Sequence, residues 1–265
     1  MKSERNIAVK IRFLGKNYHG FQRQQNALSV QEVIEKALFN ILKKETVIFG
    51  CSRTDTGVSA AEYVFNFKTD NLITPYKLKG ALNHFLPEDI AVFDCAVADD
   101  DFHSRYSCIE KEYEYIVRNS RQRDPFCEGR ALRYSLSSLD EKMLDRAAKA
   151  FLGKHDFSAF CSAGDSVKSH VREITKASVR REGEDVLFAF RADGFLYNMV
   201  RIMVGTLIFI NEGKIEKDAI PNIIESRDRK NAGATAEAQG LCLKKVIYQN
   251  DPFENSEMEG ENGGN

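Results

Sequence analysis

The chain has 265 residues, 43% of them hydrophobic, and a formal charge of −1. That length admits one large or two small domains, and the apolar fraction is ample for a packed core. No apolar run is both long and charge-free enough to span a bilayer, and Met1-Lys2-Ser3-Glu4-Arg5 leads into a strand pattern, not a signal-peptide segment, so a cytoplasmic protein is expected.

Ile7, Val9, Ile11 and Phe13 alternate as a half-buried strand does, with Lys10 and Arg12 on the other face. A helix follows, opened by a capping box of Ser29 and Glu32 and striped by Val30, Val33, Ile34, Ala37, Leu38, Ile41 and Leu42. Strands are expected near 45–52 and 61–68, a helix from Pro75 to Phe85 and a strand near 90–97. After a connection over 98–110 the order recurs. Tyr113, Tyr115 and Val117 share one face of a strand, a helix runs from Asp140 to Leu152, and strands lie near 171–182 and 185–193. Helices near 197–211 and 216–227 and a strand at 241–248 complete the second half. The expected class is therefore α+β: two ferredoxin-like β-α-β-β-α-β halves, 1–97 and 111–249, joined into one mixed antiparallel sheet with helices on one face and an RNA-binding cleft on the other.

Asp251, Glu254, Glu257, Glu259 and Glu261 crowd the segment 250–265, which holds no Lys or Arg. Without it the body carries 38 basic against 34 acidic residues, compatible with a nucleic-acid partner but not demanding one. Rich in Gly, Asn and Glu, that segment has little to bury and is expected to be a disordered acidic tail. The six cysteines form no C-x-x-C pair and the five histidines show no metal-ligand spacing, so no metal site is expected.

Two stretches carry chemistry. In Gly50-Cys51-Ser52-Arg53-Thr54-Asp55-Thr56-Gly57, a polar turn lies between Val47-Ile48-Phe49 and the alternating Tyr63, Phe65 and Phe67. Such a turn can hold a reactive carboxylate, Asp55, at the edge of a rigid sheet, although Thr54, Asp55 and Gly57 alone also fit a plain Asx-type turn. In Phe195–Ile210 the single charge is Arg201, on a helix apolar nearly all round. A guanidinium there needs a carboxylate or phosphate, unless its stem snorkels to the helix margin. Asp55 is the acid nominated to meet it.

With these residues in view, the chain resembles the TruA family of tRNA pseudouridine synthases, in order and over nearly its whole length. The matching pieces are Gly20-Phe21-Gln22-Arg23-Gln24, Ser29-Val30-Gln31-Glu32, Arg53-Thr54-Asp55-Thr56-Gly57-Val58, Asn83-His84-Phe85-Leu86-Pro87 and Asp101-Phe102-His103-Ser104-Arg105-Tyr106-Ser107. They continue with Lys111-Glu112-Tyr113-Glu114-Tyr115, Asn198-Met199-Val200-Arg201, Asp228-Arg229 and Ala238-Gln239-Gly240-Leu241.

The resemblance implies a cofactor-free isomerase that breaks the glycosidic bond of a uridine in tRNA, turns the uracil and rejoins it through carbon. It implies Asp55 as nucleophile, Tyr113 as the aromatic stacked on the extruded base, and Arg201 as the partner of the nucleophile. Arg53 would help hold the flipped nucleotide, and Leu241 would lie near the base. Tyr115 is read as a core aromatic. Arg23, His103, Arg105 and Arg229 are weaker RNA-binding candidates, and Arg172 and Arg191 are further cations that could meet phosphate. The implied target is uridine at positions 38–40 of the anticodon stem-loop, and the implied assembly a homodimer. Ser52, Thr56 and Ser59 depart from the family's commonest Gly, Ala and His, which leaves substrate choice open. The alternatives are a pseudouridine synthase acting on rRNA or another structured RNA, and a non-catalytic RNA-binding module.

Overall fold

Residues 4–164 and 167–254 are described in the computed structural model of the chain, and contacts group it into two units, Met1–Ile109 with Leu243–Asn265, and Glu110–Cys242.

The first unit begins with β1 (Arg5–Phe13), whose Ile7, Val9, Ile11 and Phe13 are buried as their alternation requires. Arg12 stays outside with its guanidinium 4.5 Å from the Phe93 ring centre. Helix α1 (Val30–Leu42) starts where the Ser29 side chain accepts a hydrogen bond from Glu32 N, while the Glu32 carboxylate pairs with Lys36 at 2.7 Å, one turn on. The strand expected over 45–52 is much shorter, β2 (Phe49–Gly50). Side chains of α1 take the backbone before it: Ile48 N donates to Glu35 Oε1, and Gln31 Nε2 donates to Ile48 O. Then follow β3 (Ser59–Thr69), α2 (Pro75–Phe85) and β4 (Ile90–Ala98). Thr74 caps α2 and Pro75 sets its first turn. From its far end Asn83 grips β4 through both its amide groups, bonding Val92 O at 2.8 Å and Val92 N at 2.7 Å. β1 lies between β3 and β4, antiparallel to both, with Val9 opposite Phe65 and Cys95. Tyr63, Phe65 and Phe67 of β3 are fully buried.

In the second unit β5 (Cys108–Arg118), whose first two residues belong to the first unit, pairs in parallel with the short β6 (Leu132–Arg133) and antiparallel with β9. Helix α3 (Glu141–Ala148) is capped by Asp140, which accepts from Lys142 N and Met143 N. It gives way to a 3-10 turn, Lys149–Phe151, before the expected end at Leu152. Next come β7 (Gly153–Asp156), β8 (Val171–Glu182), β9 (Asp185–Ala192), α4 (Met199–Asn211) and α5 (Ile220–Ser226). The sheet order is β5-β9-β8-β7. β7 was not expected, because Gly-Lys-His-Asp has no apolar alternation; it is a strand only through its pairing with β8. α5 is shorter than 216–227 suggested, confined between Pro221 near its start and Arg227 in the left-handed region, φ 53°.

The last strand, β10 (Leu241–Tyr248), keeps its expected limits. The expected second half, 111–249, is divided: from Leu243 onward the chain groups with the first unit. There β10 lies beside β3, Val246 N donates to Glu62 Oε1, and Tyr248 OH donates to Ser104 O at 2.7 Å. Of the tail expected to be disordered, Asp251–Glu254 form a turn with Phe253 buried and Lys10 Nζ 4.3 Å from its ring centre. The remainder, 255–265, lies outside the described residues. Both units combine antiparallel pairing with helices, and the parallel β6 makes the strand set mixed, which is the α+β class expected. No helix among the described residues is long and apolar enough to cross a membrane.

Candidate active site

Asp55 lies in the connection between β2 and β3, half-buried, with Arg53 exposed two residues before it. This turn is held from several directions. Its entry is pinned by Cys51 N donating to Val64 O, and by the buried Tyr63, whose hydroxyl donates to Ser52 O and accepts from Ser52 N. Its crown closes through Val58 N to Asp55 O, a reversal that Gly57 allows at φ 80°. From outside, the segment 18–21 braces it. Phe21 N donates to Thr54 O, and Gly57 N donates to Tyr18 O, each at 3.2 Å. Gly20, at φ 84°, passes so close that a Cβ there would stand 2.5 Å from Thr54 O. The Gly20-Phe21 piece thus acts on the Asp55 turn through backbone contacts, and Phe21 stacks on Tyr63 with centroids 4.2 Å apart. The brace at Gly20 runs backbone to backbone and leaves no side-chain signature, and in sequence Tyr63 is indistinguishable from the other alternating aromatics of β3.

In the second unit, Tyr113 on β5 is buried, opposite Phe190 in register and edge-on to Phe195 with centroids 5.2 Å apart. Tyr115, two residues on, is fully buried and its hydroxyl donates to Glu237 O at 2.7 Å. Burial pushes that phenol well above its ordinary range. Arg201 sits in the first turn of α4 and is half-buried beside largely buried neighbours. Its Nε donates to Ala236 O at 2.7 Å and its Nη1 to Asn198 Oδ1 at 2.6 Å, while Ala236 N returns a bond to Arg201 O. Asn198 itself is left-handed, φ 61°, and its amide donates to Ser162 Oγ. These contacts fix the direction of the guanidinium. Arg201 and Tyr115 therefore both hold the strip 236–240, through the carbonyls of Ala236 and Glu237, and Gly240 fits against the Tyr115 ring where a Cβ would come within 2.6 Å. Leu241, next in line, is buried at the start of β10.

The weaker candidates separate by what already occupies them. Arg23 is exposed and paired with Glu35 at 3.1 Å. Arg229 is half-buried, bonded to Ala232 O and Thr235 Oγ1, and burial lowers its pKa. Arg191 is committed to Glu112, and Arg172 bonds the carbonyls of Ser169 and Val171. His103 and Arg105 lie in the loop after β4, where Arg105 is exposed.

Comparison with known proteins adds to this geometry. The family described as "tRNA pseudouridine synthase" matches residues 9–107 and 147–249. A protein named tRNA pseudouridine synthase A from Acetivibrio thermocellus is 47% identical over 244 residues, 92% of this chain and 100% of its own length. Proteins of the same name from Thermoanaerobacter sp. and Staphylococcus aureus are 43% and 41% identical, covering 92% and 91% of this chain and 100% and 90% of their own.

Proposed function

The chain belongs to the tRNA pseudouridine synthase family, and we propose that it isomerises uridine to pseudouridine at positions 38–40 of the anticodon stem-loop, with Asp55 as nucleophile on a turned-out base. The observation that carries this reading is the Arg53–Val58 turn: a carboxylate on a short segment braced through Cys51, Ser52, Thr54 and Gly57, half open to solvent. Such fixation suits a group that must meet its target in one geometry.

The chemistry asks for a nucleophile that can attack the nucleoside and leave again. The bond from uracil N1 to the ribose breaks, the ring turns, and C5 bonds to the ribose carbon. A proton leaves C5 and N1 takes one up. No net oxidation occurs, and the carboxylate is regenerated. In this reading Tyr113 faces the uracil, Arg201 pairs with the Asp55 carboxylate and keeps it ionised, Arg53 holds the extruded nucleotide, and Leu241 packs near the base. Two donors of Arg201 anchored on Asn198 and Ala236 support such a role, because a guanidinium already aimed loses little freedom on pairing. Arg23, His103, Arg105 and Arg229 would contact the RNA, and two copies of the chain would embrace one tRNA.

Transfer RNA carrying tritium at uracil C5 tests the chemistry. The protein should release label to water, and Asp55→Ala should abolish release while tRNA is still bound. Release by Asp55→Ala at the wild-type rate would remove Asp55 from the role. Mapping the converted uridines in RNA from cells with and without the gene separates the anticodon target from ribosomal or other structured RNA. Light scattering tests the dimer.

A further inference from the structure

The loop after β4, 99–107, combines a buried anchorage with an exposed aromatic surface. Asn6, buried on β1, donates through its amide to Asp99 O and Phe102 O, each at 2.8 Å. Asn66, buried on β3, donates to Phe102 O and Asn6 Oδ1 and accepts from Ser104 N at 2.9 Å. Ser104 is fully buried: its hydroxyl donates to Phe49 O at 2.5 Å, and its carbonyl takes the Tyr248 hydroxyl. Ser107 and His103 close the loop on themselves, N to Oγ and N to O. Buried asparagine amides satisfied this fully hold one loop conformation, since each broken bond would strand a polar group away from water.

This rigid loop turns rings outward. His103 stands between Phe49, at 5.1 Å between centroids, and Tyr106, at 4.4 Å. Tyr106 is 79% and Phe49 46% exposed. Partial burial pushes the His103 pKa down, so near neutral pH it is a flat uncharged ring. Arg105, exposed, projects from the same tight loop. A pre-ordered row of rings beside a guanidinium matches a partner that is flat, aromatic and anionic. An unpaired nucleotide is all three, whereas a base inside a duplex has its faces covered.

We propose that Phe49, His103 and Tyr106 form a stacking platform for an unpaired nucleobase of the RNA substrate, Tyr106 supplying the outer face and Arg105 meeting the adjoining phosphate. This rests on the tRNA-modifying reading above, and concerns a base other than the uridine being isomerised. Tyr106 is a positioning residue: it holds the strand beside the target and takes no part in bond making.

The test uses the full-length protein, a fluorescent stem-loop transcript with an open loop, and a blunt RNA duplex of equal length, with anisotropy read across a salt series. Tyr106→Ala should weaken stem-loop binding about tenfold, while Tyr106→Phe and Tyr106→Trp bind as the wild type does. Duplex affinity should be the same for all four proteins. The salt dependence of Tyr106→Ala should match the wild type, whereas Arg105→Ala should lose the slope of about one phosphate contact. An unchanged melting midpoint for Tyr106→Ala excludes misfolding, as its exposure leads one to expect. Undiminished stem-loop binding by Tyr106→Ala, or an equal loss on the duplex, would overturn the platform. Tritium release by the wild type is scored separately: its absence would refute the enzymatic reading, whatever the binding result.

Discussion

Replacing Gly20 with alanine tests whether the Asp55 turn is held from outside. At φ 84° an L-residue meets its own carbonyl, which costs about 1–2 kcal/mol. The new Cβ would also lie 2.5 Å from Thr54 O and 3.3 Å from the carbonyl carbon of Asp55. Both neighbours are backbone, so no side chain can swing aside; either the 18–21 segment or the turn has to shift. Phe21 N to Thr54 O and Gly57 N to Tyr18 O are the bonds in the way, each already 3.2 Å long. Losing one adds about 1 kcal/mol. A total near 2–3 kcal/mol would lower the melting midpoint by roughly 4–12 °C, leaving the protein folded at 25 °C. With Asp55 in its proposed role as nucleophile, activity should fall further than that, because a displacement of about 1 Å at the reacting group costs on the order of 100-fold. The assay is tritium release at saturating tRNA, beside urea and thermal unfolding. A Gly20→Ala protein with unchanged kcat would refute the brace, and so would one whose loss of rate is wholly accounted for by unfolded protein.

Other substitutions test further supports. Tyr63→Phe removes the hydroxyl bonded to both backbone groups of Ser52; stability should drop by about 1–3 kcal/mol and kcat should drop with it, as read by urea unfolding and tritium release. Tyr115→Phe frees Glu237 O and loosens the 236–240 strip, costing about 1–2 kcal/mol in the same unfolding assay. For Glu112, burial pushes the carboxyl up, but bonds to Lys176 at 2.7 Å and Arg191 at 2.5 Å pull it below the ordinary 4.5. With the folded value depressed, its stabilisation is present above about pH 4.5 and is lost as pH falls through the folded value. Urea midpoints followed downward from neutral pH should therefore decline less steeply for Glu112→Gln than for wild type in that acid window, and the two proteins should differ most near pH 7.

Apolar periodicity made the longer elements legible. β8, β10 and α2 lie where alternation or capping put them, because each has a face that must be buried. β6, β7 and β2 were missed or overextended. They are two to four residues long, and pairing with a neighbour makes them strands, which no local pattern encodes. In the candidate site the reactive types stood out by contrast: one acid in a turn, one cation on an apolar helix. Their supports did not. Arg201 is aimed by a backbone carbonyl 35 residues away and by an asparagine in a left-handed conformation, and the Asp55 turn leans on a glycine. Arg191 looked available in sequence because Glu112, its partner across the β5–β9 pair, is 79 residues distant along the chain.

The placement of β10 bears on how the polypeptide matures. Since Leu243–Tyr248 supplies a strand beside β3, the first unit is made from two segments separated along the chain by the whole of the second unit. During synthesis, that unit cannot complete its sheet until the second unit and Leu243–Tyr248 have been translated, although β1, β3 and β4 leave the ribosome earlier. The nascent hydrophobic surface of β1, β3 and β4 must wait for a distant segment, which makes removal of β10 a lesion of the first unit.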